Sequence, residues 1–263
     1  MILMKINQMR MNILKKEFPM IIERIRKPIE DNMYITKGST PVIYFGDYDS
    51  AKACTISLNP SDKEFLDMNG EILTGNAERL CSRRKLGKND EDLLTEEDAK
   101  KVLGYCKDYF ERNPLKNFFD PFEHLINLFG NYSYYENTCV HLDLVQWATT
   151  PKWGDISSEI RDKHLEKDLP VLEHLIDDKK FEVIFLNGST VVSTIRDKLK
   201  GVNVNKKRAV YKNTGGRETN MTVYTGKYNN IKIIGWSLFL QNPPVGGDKD
   251  NIDILYDTIK DKI

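Results

Sequence analysis

The chain has 263 residues, of which 40% are hydrophobic and 30% are charged, a composition typical of a folded globular protein rather than a disordered one. No apolar run approaches the ~20 residues that span a bilayer, and residues 1–16 lack the apolar core of a secretory signal, so we expect a cytoplasmic protein without a membrane partner. The 39 basic and 39 acidic side chains cancel to a net charge of zero, so binding of nucleic acid has to depend on local basic clusters.

An amphipathic helix is predicted first, over residues 9–26, because apolar side chains recur on one face until Pro28 ends the pattern. Residues 41–45 are predicted to form a short strand. Four further apolar runs are rich in Val, Ile and Leu and lack alternation, which is typical of strands buried on both faces. These runs cover residues 53–58, 138–145, 183–186 and 231–236.

Helical patterns fill the gaps between these runs, and strands that alternate with helices predict a parallel sheet covered on both faces. The predicted helices cover residues 95–110, 121–129, 157–175, 191–199 and 250–263, and the first of them opens with a Thr-x-x-Asp capping pattern at Thr95. Residues 203–228 break the alternation, because two strand-like runs flank a Thr-Gly-Gly turn as in a β-hairpin. We therefore predict one three-layer α/β/α domain over residues 1–263, with a four-stranded parallel sheet, a helical extension over residues 1–50 and a hairpin insertion over residues 203–228.

Two Asn-Pro pairs follow the first and the last of the four buried runs. Asn59-Pro60 ends the first run, and Asn242-Pro243 stands six residues after the last one. Proline ends a strand ladder and holds the preceding residue in an extended conformation. Ligands of α/β sheets bind in the loops at the carboxyl ends of the strands. The two pairs therefore predict a binding site at that edge of the sheet.

Polar residues also occur in the two middle runs. Buried strands seldom contain an acid unless it is paired or functional, so Asp143 is predicted either to enter the same crevice as Asn59 or to serve as a helix cap or ion-pair partner. His141 is interpreted as a structural histidine. Asn187 ends the third run, where it either caps the next helix or contacts a ligand.

Other chemistries are disfavoured by the residues present. The chain has no phosphate-binding or dinucleotide-binding glycine motif, and its four cysteines form no C-x-x-C pair, so neither a cofactor nor a metal is expected. Ser237 lies in half of a nucleophile elbow, but every histidine precedes it, which disfavours a serine hydrolase. Two basic clusters, residues 83–88 and 206–208, are either nucleic-acid contacts or solvated loop charge.

The motifs together resemble those of the uracil-DNA glycosylase superfamily. Ser57-Leu58-Asn59-Pro60-Ser61 is similar to its first motif and Asn242-Pro243-Pro244-Val245-Gly246-Gly247 to its last, and both are closest to the branch that acts on mismatched uracil and thymine. Residues 74–79 faintly resemble a Gly-Asn-Arg element of that branch. The resemblance covers about residues 50–260 and implies a monofunctional enzyme that flips a nucleotide out of DNA and hydrolyses its N-glycosidic bond without a cofactor.

The resemblance implies roles for individual residues. Asn59 would position the attacking water, and Asn242 would steady the leaving base or the sugar–phosphate. Gly246 and Gly247 would let the last loop approach a DNA strand closely. Arg83, Arg84 and Lys85 are the predicted contacts to DNA, and the protein is expected to act as a monomer. The predicted substrate-binding residues are Pro60, Ser61, Phe65, Asp143, Gln146 and Asn187, with Phe65 in place of the family's stacking aromatic.

Two departures from the family pattern bear on the substrate. Uracil-specific members carry a bulky Tyr where this chain has Ser61, so a substituent at C5 of the base would have room. An ionised Asp143 accepts hydrogen bonds only, which suits the exocyclic amine of cytosine. The predicted substrate is therefore a C5-modified cytosine, such as glucosylated hydroxymethylcytosine in phage DNA. The alternatives are a uracil or mismatched-uracil glycosylase, a non-catalytic module that binds a nucleotide or base, and a small-molecule hydrolase.

Overall fold

The computed structural model describes residues 19–263. Residues 9–18 of the first predicted helix lie outside the described residues, and the described part of that helix ends at Arg26. The described helices and strands are α1 (Pro19–Arg26), β1 (Ala53–Ser57), α2 (Arg83–Leu86), α3 (Glu96–Lys107), α4 (Lys116–Gly130), β2 (Cys139–Asp143), α5 (Ser158–Asp178), β3 (Val183–Asn187), α6 (Ser189–Lys198), β4 (Val202–Lys212), β5 (Glu218–Tyr228), β6 (Ile231–Trp236) and α7 (Lys249–Lys260).

The strands form one open, six-stranded sheet in the order β2-β1-β3-β6-β5-β4. The first four strands of this order are parallel, as expected for strands joined through helices, whereas β5 pairs antiparallel with both β6 and β4. The predicted four-stranded sheet with a separate hairpin is therefore not confirmed. The hairpin strands have 11 residues each, and β5 pairs with β6, so the hairpin extends the sheet instead of leaving it.

Helices cover both faces of the sheet. On one face, the α4 ring of Phe129 packs against Phe185 of β3 and Tyr256 of α7, with ring centroids 5.4 and 4.9 Å apart. On the other face, α6 places Val192 against Gly235 of β6, where an added Cβ would lie 3.0 Å from a Val192 methyl. β1, β2 and β3 are buried along their whole length because both faces are covered, and β6 is buried from its third residue onward.

Two local predictions have different outcomes. The capping pattern at Thr95 is confirmed, because its hydroxyl accepts from the Asp98 backbone and the Asp98 carboxylate accepts from the Thr95 backbone. The strand predicted over residues 41–45 is wrong. That segment bonds to the edge strand β2 at Phe45, which bridges His141, and Val42 N–H donates to Gln146 O in the segment after β2. These isolated contacts are too widely spaced to make a ladder.

A buried ion pair joins the N-terminal helix to the body of the domain. Arg24 of α1 pairs with Asp168 of α5, and its guanidinium lies 5.4 Å from the ring centroid of Trp147. Burial raises the pKa of Asp168 to about 6, although Arg24 opposes that rise. Loss of one partner would leave the other charge buried and uncompensated. The pair thus holds α1, α5 and the segment after β2 in fixed positions.

Gly188 lies at the tight turn between β3 and α6. Its φ is +98°, and a Cβ at this position would lie 2.5 Å from the ring of Phe239, which belongs to the segment after β6. Only glycine avoids both the backbone strain and the collision. The glycine therefore allows the loops after two neighbouring parallel strands to pack directly against each other.

We expect Gly188→Ala to lower the free energy of unfolding by about 1–3 kcal/mol more than Gly70→Ala does. Gly70 is the matched control, because its φ is +80° but a Cβ added there would meet nothing within 4 Å. Both variants carry backbone strain, and only the first collides with a ring. Urea denaturation of the two variants measures the difference, and equal losses would contradict the packing described for Phe239.

Candidate functional site

A row of polar side chains crosses the carboxyl end of the parallel strands. Ser57 of β1 is paired with Asp143 of β2, and the register of β1 with β3 places Asn187 beside Ser57 at the next position. Asn187 in turn pairs with Trp236 of β6. Residues in one row of a sheet point to the same face, so these four buried side chains lie side by side under the loops of that edge.

Three polar atoms of this region are buried without a hydrogen-bond partner in residues 19–263. They are Ser57 Oγ, Asp143 Oδ1 and Gln146 Oε1, on side chains that are 5% exposed or less. Each such atom costs about 1–3 kcal/mol when nothing replaces its lost water. Unpaired polar groups gathered at the carboxyl edge of an α/β sheet are typical of a site that a ligand completes.

Asn187 is bonded differently from its neighbours in the row. Its Oδ1 accepts a hydrogen bond of 3.0 Å from Trp236 Nε1. The prediction that Asn187 caps the following helix is wrong, because Gly188 holds the N-cap position and makes no side-chain cap. Asn187 thus joins β3 to β6 within the row.

Asn59 lies just beyond β1, at the rim of this row. Its Nδ2 donates to Pro60 O, Trp147 O and Thr149 Oγ1 at 3.1–3.2 Å. The last two acceptors belong to the segment that follows β2, and they fix which way the amide faces. Asn59 Oδ1 accepts no hydrogen bond from residues 19–263 and remains available to a water or a ligand.

A chain of short hydrogen bonds runs behind Asp143 into the core. Thr55 Oγ1 lies 2.6 Å from both the Tyr134 hydroxyl and His141 Nδ1, and His141 Nε2 lies 3.4 Å from Asp143 Oδ1. Either hydroxyl can be the donor between Thr55 and Tyr134, and the donor between Thr55 and His141 depends on the tautomer of the ring. The network holds the His141 ring with its Nε2 edge toward Asp143.

The aromatic residues of α4 enclose this network and connect it to the last loop. The rings of Phe118, Phe119 and Phe122 lie 5.2–5.8 Å from His141, measured between centroids. Phe118 O also accepts a 3.0 Å bond from Gln241 Nε2, beside Asn242. The N-terminal part of α4 therefore touches both the histidine under the row and the loop that carries the second Asn-Pro pair.

Glu64 is a buried acid that sequence analysis missed. It is 3% exposed, and both carboxyl oxygens accept from the Tyr109 hydroxyl, at 2.8 and 2.9 Å. Burial raises the pKa of Glu64 to about 8, and the nearby Asp143 adds to the rise, whereas Tyr109 and Arg79 oppose it. A single 3-10 turn over Asp62–Glu64 directs the side chain inward. An isolated Glu in a polar loop gives no sequence signal for such burial.

The other residues of the first motif are divided between the core and the surface. Pro60 is buried, and Phe65 is 1% exposed in the hydrophobic core. Ser61 is exposed and its hydroxyl caps the 3-10 turn by accepting from Lys63 N. The stacking role of Phe65 stays a prediction.

The loop of the second motif is exposed at Asn242 and Gly246 and packs against α4 at Gly247. Gly246 and Gly247 have φ values of +67° and +72°, and a Cβ on Gly247 would lie 3.3 Å from Pro121 of α4. Asn242 O accepts from the N–H groups of Val245 and Gly246, which closes the loop into a tight turn. The motif thus forms a compact turn that packs on α4.

The basic cluster of residues 83–88 is only partly available to a partner. Arg83 is fully buried, and its guanidinium donates to the backbone carbonyls of Lys27, Asn89 and Asp92. Arg84 and Lys85 are exposed, and Lys85 pairs with Glu78. Arg83 is therefore bonded inside the protein, which its position in an Arg-Arg-Lys run did not reveal.

Comparison of the chain with protein-family models and with curated proteins gives no match. Within residues 19–263, no three His, Cys, Asp or Glu side chains are grouped so that they could hold a metal ion. None of the described helices is long and apolar enough to cross a bilayer.

Burial of Glu64 predicts a pH-dependent stability. The pKa is about 8 in the folded protein and close to 4.5 in an unfolded chain, so between these values the folded state holds a proton that the unfolded state releases. The free energy of unfolding therefore falls as pH rises through this window, by on the order of 4 kcal/mol from this group. Denaturation curves between pH 4.5 and 8.5 should show this loss in the wild type and not in Glu64→Gln. Glu71→Gln, an exposed control, should behave as the wild type, and an unchanged slope in Glu64→Gln would contradict the assignment.

Proposed function

We propose that the chain is a monofunctional DNA glycosylase that hydrolyses the N-glycosidic bond of a modified pyrimidine and leaves an abasic site. The observation that carries the proposal is the Asn59 amide, whose nitrogen is bonded to Trp147 O and Thr149 Oγ1 while its oxygen is unbonded within the described residues. This amide follows a strand that ends in the polar row, where Ser57 Oγ and Asp143 Oδ1 are buried and unpaired and could contact a flipped base. The motif resemblance to the uracil-DNA glycosylase superfamily supports the same reaction.

The amide of Asn59 suits the water-positioning step. Cleavage of an N-glycosidic bond develops positive charge on the sugar and negative charge on the departing base. An amide oxygen is a weak base, but it can accept a hydrogen bond from a water and hold it below C1′. Because Nδ2 is bonded to the segment after β2, Oδ1 is oriented before substrate binds, which lowers the entropy cost of the step.

The buried row suits recognition of a base that donates hydrogen bonds. Asp143 Oδ1 and Gln146 Oε1 are both unpaired acceptors, and the exocyclic amine of cytosine is a donor. His141 Nε2 lies 3.4 Å from Asp143 Oδ1 without forming a hydrogen bond to it. Uracil presents an oxygen instead of the amine, so an Asp143 carboxylate would repel it. These contacts favour cytosine over uracil.

The small first-motif residue at position 61 favours a substituted base. Ser61 is exposed and carries no bulk that would close the pocket beside C5. We therefore propose a C5-modified cytosine as the substrate, such as the glucosylated hydroxymethylcytosine of some phage DNA, and a role in defence. Asn242, Gly246 and Gly247 would close over the strand, Arg84 and Lys85 would contact its phosphates, and the protein would act as a cytoplasmic monomer.

Asn59→Ala is expected to slow base release at least ~100-fold, because the attacking water loses its acceptor. Release is measured by treating DNA with the protein and then with alkali, which breaks the strand at abasic sites. The panel contains C5-modified phage DNA, uracil-containing duplexes and unmodified DNA. Asn230→Ala, which changes an exposed asparagine in the turn between β5 and β6, is the control.

No strand break on any DNA of the panel, with binding retained, would favour a non-catalytic base-binding module. Release of uracil alone would favour the repair enzyme. Full activity of Asn59→Ala would remove this residue from the mechanism.

Asp143→Asn is expected to lower the ratio of cytosine-type to uracil release by about 10-fold to 100-fold, because an amide can also donate to the O4 of uracil. The measurement is kcat/KM on two duplexes that differ only in the target base. Asp67→Asn, which changes an exposed acid, is the matched control. An equal loss on both substrates would indicate that Asp143 does not distinguish the bases.

A further inference from the structure

The β4–β5 hairpin extends past the end of the parallel sheet. Val223 of β5 is paired with Trp236, the last residue of β6, so the earlier residues of β5 and their β4 partners lie beyond that strand. We call the projecting part, residues 208–222, the hairpin arm. Its five paired positions on each strand extend about 17 Å at ~3.3 Å per residue. The arm therefore stands beside the carboxyl edge where the candidate site lies.

The hairpin concentrates positive charge in a chain whose net charge is zero. Residues 202–228 contain six Lys or Arg side chains and one Glu, a net charge of +5. The six are Lys206, Lys207, Arg208, Lys212, Arg217 and Lys227. The rest of the chain must carry the opposite charge, so the hairpin is the positive pole of the protein. Such separation of charge orients a polyanionic partner.

The basic side chains in and beside the arm differ in whether they have a partner within the protein. Lys212 pairs with Glu218 at 3.4 Å, and Lys207, just before the arm, donates from Nζ to Lys262 O at 2.6 Å. Arg208 and Arg217 are exposed, and neither has a carboxylate within salt-bridge distance among residues 19–263. These two guanidinium groups are available to bind an anion.

A groove on the arm places hydrogen-bond donors beside Arg208. It has a volume of about 250 Å³ and is lined by Arg208, Ala209, Asn220, Met221, Thr222 and Ser237. The Thr222 N–H donates to Ser237 Oγ at 2.9 Å, so the Ser237 hydroxyl hydrogen can point outward. A guanidinium, an amide and two hydroxyls are the groups that proteins use to hold phosphate oxygens of a nucleic-acid backbone.

The tip of the arm is fastened to the loop of the second motif. Asn213 Nδ2 donates to Pro244 O at 3.3 Å, and Thr214 N donates to Asn251 Oδ1 at 2.8 Å. Asn251 Nδ2 bonds in turn to Val245 O at 3.2 Å. The arm and the loop are thus one connected structure, and a strand held by the arm would lie at a fixed distance from the loop.

We propose that the hairpin arm binds the sugar–phosphate backbone of DNA, with one phosphate in the groove at Arg208 and a second at Arg217. The proposal rests on the proposed glycosylase function for the identity of the polyanion as DNA. It assigns the main electrostatic contact with DNA to the hairpin arm and not to residues 83–85, because Arg83 is buried. The strand next to the flipped nucleotide would lie along the arm.

The test uses the full-length protein and a fluorescein-labelled, unmodified 20-base-pair duplex, with Kd measured by anisotropy at several salt concentrations. Each lost phosphate contact is expected to lower the slope of log Kd against log salt by about 0.9, so Arg208→Gln/Arg217→Gln should lower it by about 1.8. At 50 mM salt, Kd should rise roughly tenfold or more for each cation removed.

The matched control is Lys227→Gln/Lys232→Gln. It removes the same charge from exposed residues, but these residues are paired at the opposite end of the sheet, away from the arm. It should leave the salt slope within experimental error of the wild type. Thermal melts of both variants check that the fold is intact, which is expected because all four side chains are on the surface.

A slope that falls only in the arm variant supports the proposal. Equal changes in both variants, or an unchanged arm variant, would overturn it, because binding would then follow net charge or another surface. Failure of the glycosylase proposal is separate: arm-dependent DNA binding without base release from any DNA would refute catalysis and leave the arm assignment standing. Base release at the wild-type rate by the arm variant, at DNA concentrations below Kd, would refute the arm assignment alone.

Discussion

Parallel pairing of β1 with β2 on one side and β3 on the other is the constraint on which the candidate site depends. It sets Asp143, Ser57 and Asn187 in one row at the carboxyl edge. A slip of one residue in the pairing of β1 with β2 would turn Asp143 to the opposite face of the sheet, into an apolar layer. The same slip between β1 and β3 would turn Asn187. The helices on both faces exclude water from the row, so its unpaired atoms retain their full cost of desolvation until a ligand binds.

Hydrogen bonds and packing hold the residues around this buried polar row in place. Asn59 is bonded to the segment after β2, and that segment is packed on Arg24 through Trp147. His141 is bonded to Thr55 on one side and faces Asp143 on the other. Such support lets polar groups remain oriented without a ligand, which would let the proposed flipped base bind without further rearrangement. Glu64 adds a second buried carboxyl group near Asp143 and makes the region sensitive to pH.

The hairpin changes what the sheet can contact. As a separate insertion it would have no fixed relation to the crevice, but its pairing with β6 makes it a continuation of the same surface. Its length carries Arg208 and Arg217 past the carboxyl edge, and its tip bonds to the loop after β6. We thereby propose that two parts of one sheet recognise a base at the polar row and phosphates along the arm. The neutral net charge of the whole chain conceals the basic hairpin.

The amino-acid sequence alone determined the α/β class, the four buried strands and the Asn-Pro pairs at two strand ends, because these follow from local periodicity and from proline. Tertiary structure decided which polar atoms are buried without partners and that Glu64 is buried. In the sequence, Ser57 and Glu64 look like ordinary strand and loop residues. It also decided that Arg83 is bonded to carbonyls within the protein and that the hairpin joins the sheet. Burial and strand pairing depend on residues distant in the chain, and a single sequence records no such contacts.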